Sequence, residues 1–234
     1  MLLKQDDDEA ARELTGKVIV IPSAKARYDE PLNELVLEQG GRLALGASAA
    51  QFEMLDAKID GRDGVYCQPI DLDRPKSVSE FFQIAFAQFE RLDVVVLEIA
   101  ASKRQRMTTE KAIELETRRL LHCLDAVLPY IDGDLHFLCI APASSAAAIP
   151  IATAFLAAKF AATRATAPRI RMSIVSPPTD RSEDDASFAR TIVHLISEPR
   201  MPDIIETVLS SARKKRRTTA KPPFDVRAKM SLQA

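Results

Sequence analysis

The chain has 234 residues, enough for one large domain or two small ones. It is 47% hydrophobic and 28% charged, the balance of a chain that packs a core, and its apolar runs fall short of the ~20 residues of a membrane span. The formal charge of −1 hides an asymmetry: the stretch 213–234 carries eight Lys/Arg against one acid, and the body before it is net −8.

Three unevenly spaced cysteines (Cys67, Cys123, Cys139) and three scattered histidines (His122, His136, His194) support neither a disulfide framework nor a zinc site. No basic segment leading into an apolar one opens the chain, so the expected setting is cytoplasmic, with no metal and no membrane. The acidic body repels nucleic acid, so the basic tail is read as a disordered or partner-docking segment rather than a nucleic-acid contact.

In chain order, 1–13 is an acidic arm. The apolar run 17–21 reads as a strand buried on both faces. Asp29 as N-cap and Pro31 in the first turn open a helix carrying Leu32, Leu35 and Val36, which Gly40 and Gly41 stop. Strand 42–45, helix 47–60 and strand 65–70 follow. The helix 76–89 lines up Val78, Phe81, Phe82, Ala85 and Phe89, and 93–97 is another buried strand. A long amphipathic helix, 110–130, turns Ile113, Leu120, Leu121, Leu124 and Leu128 inward. Strand 136–140, an Ala-rich helix 151–166, strand 171–175, helix 185–197 and strand 204–209 complete the pattern. Strands that alternate with helices and are apolar on both faces predict a doubly wound, Rossmann-like α/β parallel sheet in one domain, 14–210, followed by the basic tail 211–234.

Five segments in this order resemble a short-chain dehydrogenase/reductase over about 14–209. LTGKVIVI (14–21) resembles the opening strand of that family. DLDRPKSV (71–78) is similar to its D-V-T-D-P-x-S-V segment, and RLDVVV (91–96) to the strand before its N-N-A-G turn. AVLP (126–129) resembles the end of its interface helix, and RMSIVSP (171–177) its I-R-V-N-x-V-x-P-G run.

The resemblance implies an NAD(P) site and a Ser-Tyr-Lys-Asn reaction centre, and the residues at those positions depart from it. The family cradles the cofactor pyrophosphate with T-G-x-x-x-G-x-G, because only glycine lets the backbone approach the phosphates at a helix N-terminus. Here the run is PSAKARYD (22–29), with Ser23, Arg27 and Asp29 at the glycine positions. A carboxylate ~5 Å from a phosphate at an effective dielectric of ~20 costs about 3 kcal/mol. Lys25 and Arg27 offset part of that.

The Y-x-x-x-K position is FLAAK (155–159): Lys159 is kept, but Phe155 has no proton to give. The serine position falls on Pro142, with Ser144 and Ser145 nearby, and the helix Asn of the proton relay falls on Glu116. Asp71, which touches the adenine in the family, remains, and it serves equally as a turn aspartate. N-N-A-G has become LEIA (97–100).

The expectation from these departures is a catalytically inactive subunit that binds no cofactor. It would oligomerise with a homologous intact reductase, or with itself, through Leu120, Leu124, Ala154, Ala158 and Ala162 on the two helices that pair between subunits in the family. Two alternatives stay open. One is an atypical NAD(P)-dependent oxidoreductase that uses Lys159 and water; the other is a ligand sensor that reuses the cleft.

Overall fold

The computed structural model describes residues 13–24, 29–59, 61–99, 108–131, 133–141, 170–177 and 185–198, with the backbone alone of Asp29 and 204–208. Strands β1 (Val18–Ile21), β2 (Arg42–Ala47), β3 (Val65–Pro69), β4 (Val94–Glu98), β5 (Leu135–Ile140), β6 (Ile170–Ser176) and β7 (Ile204–Val208) form one sheet. Their order is β3-β2-β1-β4-β5-β6-β7, and every pair is parallel. The described helices are α1 (Asp29–Glu38), α2 (Ala49–Ile59), α3 (Pro75–Phe89), α4 (Thr109–Val127, continued by a 3-10 turn Leu128–Tyr130) and α5 (Asp185–Ser197). Asp29 is the first residue of α1 rather than the residue before it, so its expected place as N-cap is corrected by one position.

Strand side chains alternate between two buried layers because successive residues of a strand face opposite ways. Val18, Val20, Val95, Leu97, Leu135 and Phe137 meet α3 and α4 on one face. Ile19, Ile21, Val94, Val96, Leu138 and Ile140 meet α1 and α5 on the other. Double-sided burial is why these strands are continuous apolar runs. The first layer is anchored by Phe81 and Phe82 of α3, both fully buried, with rings edge-to-face at 5.5 Å. Each contributes on the order of 2–3 kcal/mol by leaving water.

Helix α3 starts with Pro75, whose fixed φ suits the first turn, and ends on Glu90 in the left-handed region at φ 61°. The Glu90 N–H donates back to the Phe86 carbonyl at 2.7 Å, closing the last turn.

The N-terminal edge of the sheet carries a cluster of polar contacts. Asp93 Oδ2 accepts from the Val18 N–H at 2.8 Å and from Arg91 Nε at 2.9 Å. Lys17 Nζ donates to the carbonyls of Ile196 and Ser197, at 3.1 and 3.4 Å, and Arg171 Nη1 donates to that of Glu198 at 3.2 Å. Two cations therefore sit at the C-terminus of α5, where the helix dipole favours positive charge. His136, 2% exposed, lies between these elements with Nε2 2.8 Å from Ser173 Oγ. Burial, assisted by Arg171 and Lys17, lowers its pKa to about 4, so the imidazole is neutral.

Candidate functional site

In an open parallel sheet the ligand crevice lies beyond the carboxyl ends of the strands, where the strand order reverses. Here that point is between β1 and β4, the two neighbours from which the connections run in opposite directions. The turn leaving β1 is Pro22-Ser23-Ala24. It folds toward β2, with the Ala24 N–H donating to the Gly46 carbonyl at 2.8 Å. Gly46 is required for this approach, because a Cβ there would lie 2.7 Å from Ile70 Cγ2 and 2.9 Å from the Pro22 carbonyl oxygen. At this end of the sheet Gly46 thus serves strand packing.

Ser23, at the first glycine position of the family cradle, is 8% exposed, and its Oγ has no hydrogen-bond partner. A side chain fills the place where a bare backbone would approach a phosphate. Glu30, one residue into α1, pairs with Lys58 of α2 at 3.2 Å. On the β4 side, Ile99 is 4% exposed and packs into the layer beneath α3 and α4, and its N–H donates to the Ile140 carbonyl at 2.8 Å. An apolar side chain turned into the core offers no hydrogen bond where the family turn is polar. The middle of the cradle segment, 25–28, lies outside the described residues.

Asp71 acts as a turn residue. Its Oδ1 accepts from the Asp73 N–H at 3.0 Å, its Oδ2 pairs with Arg74 at 3.2 Å, and its own N–H bonds Ser77 Oγ at 3.0 Å. This is an Asx turn that sets up the start of α3, and it engages both carboxylate oxygens.

The relay position on α4 holds Glu116, 12% exposed and 3.0 Å from Arg119 Nη1. Arg119 is 15% exposed and reaches onward to the turn after β3. Its Nε and Nη2 grip the two carboxylate oxygens of Asp73 at 2.6 and 2.9 Å. The hydrogen bonds to Asp73 and the charge of Glu116 raise the guanidinium pKa against the burial that opposes it. One turn further along α4, His122 Nδ1 lies 3.0 Å from the Leu72 carbonyl. Together these contacts fasten α4 to the β3–α3 turn. Where a proton relay needs an amide that holds water, this helix carries a carboxylate engaged by an arginine.

Leu120 and Leu124, expected on an intersubunit face, are 0% and 1% exposed, so they belong to the interior of this subunit. That expectation is corrected: both are covered within this subunit, Leu120 in the layer shared with the sheet and α3. Phe155, Lys159, Pro142, Ser144, Arg27, Ala154, Ala158 and Ala162 lie outside the described residues.

Sequence reasoning missed Arg119 and Asp73. Their signals were the i, i+3 spacing of Glu116 and Arg119 and the Asp-x-Asp at the head of α3. Burial raises the thiol pKa of Cys67 to about 11 and of Cys139 to about 12, and raises that of Cys123 as well, so none is a ready nucleophile. Among the described residues, no group of three or more His, Cys, Asp or Glu could hold a metal ion. No described helix is long and apolar enough to cross a membrane.

No family model matches the chain. An oxidoreductase of Staphylococcus saprophyticus, itself described as uncharacterized, is 24% identical over 220 residues, 84% of this chain and 89% of that protein. A short-chain dehydrogenase from Mycobacterium smegmatis superposes with a TM-score of 0.65 at 18% identity, covering 88% of this chain and 95% of the other. A hydroxysteroid dehydrogenase from Escherichia coli superposes with a TM-score of 0.67 at 14% identity, covering 87% and 99%. The chain has the fold of the short-chain dehydrogenases/reductases.

Proposed function

We propose that this chain is a non-catalytic member of the short-chain dehydrogenase/reductase family that assembles with an intact NAD(P)-dependent reductase and stabilises or regulates it. The observation that carries this reading is the engagement of Glu116 by Arg119 and of Arg119 by Asp73, which gives the relay position a structural task. The side chain of Ser23 at the cradle position and Phe155 at the position of the family Tyr support it. Phe155 removes the general acid, a loss typically of 10²–10⁴-fold in rate. With Leu120 and Leu124 turned inward, the partner face would centre on Ala154, Ala158 and Ala162, small side chains that let helices approach closely.

A second reading, an oxidoreductase that uses Lys159 without the tyrosine, is favoured by the unpartnered Ser23 Oγ and by the name of the staphylococcal relative. Titrating the purified chain with NADH and NADPH while following nicotinamide fluorescence separates the two. No binding up to millimolar cofactor, with co-purification of an intact dehydrogenase from the source cells, is the expected result. Micromolar binding with turnover that is lost in Lys159→Met replaces the first reading with the second.

A further inference from the structure

We draw no further inference here: the strongest candidate, the side-chain cluster of Lys17, His136, Arg171 and Ser173 beneath the C-terminal end of α5, carries nothing because His136 and Ser173 are closed to solvent and the response of the cluster to acid rests on the pKa of His136 alone.

Discussion

Arg119 holds Asp73 side-on, with Nε and Nη2 each donating to one carboxylate oxygen, and so joins the middle of α4 to the turn after β3. The same guanidinium meets Glu116 through Nη1. A planar fork that satisfies two carboxylates cannot be replaced by a lysine, which presents a single point of charge.

Arg119→Met should destabilise the protein by about 2 kcal/mol, because Glu116, only 12% exposed, then faces the interior with less counter-charge. Asp73→Asn should cost about 1 kcal/mol or less, since that carboxylate is 44% exposed and screened by solvent. Urea unfolding of the two variants checks the order. Glu116→Asn, which restores the family residue, should lower stability and generate no reductase activity, measured as NADPH oxidation with a panel of carbonyl substrates.

The buried His136 makes stability depend on pH. Its pKa is lowered from an ordinary value of 6.5 to about 4 in the folded protein. Above pH 6.5 the imidazole is neutral in both states and adds no pH dependence. As pH falls from 6.5 toward 4, the unfolded chain binds a proton that the folded one refuses. Stability should therefore decline over that window, by on the order of 3 kcal/mol from this group. His136→Gln, which retains a partner for Ser173 Oγ, should remove that part of the decline. Denaturant midpoints at pH 7.5, 6 and 4.5 for both proteins measure the difference.

Glu90 closes α3 at φ 61°, a conformation that glycine adopts without cost and a side chain resists. Glu90 is exposed, so its replacement disturbs no packing. Glu90→Gly should raise stability by about 1 kcal/mol, or about 2–4 °C in Tm. Calorimetric melting decides it; a lower Tm would mean that the glutamate contributes more than its backbone strain costs.

Much of the fold was written in local patterns. Val18 to Ile21 and Val94 to Leu97 are apolar at every position because both faces of their strands are covered, and the alternation of such runs with helices dictates a parallel sheet. The α3 stripe of Val78, Phe81, Phe82, Ala85 and Phe89 is buried as its spacing requires. Tertiary facts were harder to read. Periodicity marks Leu120 and Leu124 as apolar but not whether the covering surface is their own sheet or another subunit. Asp71 is the same residue whether it binds a ligand or shapes a turn, and only its contacts with Asp73, Arg74 and Ser77 decide. Leu55 and Ile59 of α2 pack against the core only part-buried, which the helical stretch 47–60 does not announce.

Lys17, just before β1, reaches across 179 positions of sequence to the Ile196 carbonyl at the end of α5. A chain emerging from the ribosome cannot make this contact until residue 196 has been synthesised. Strand β1 must wait until then, its apolar face against α5 uncovered. Refolding from denaturant slowed by this long-range closure is the expected kinetic cost of clasping β1 to the last described helix.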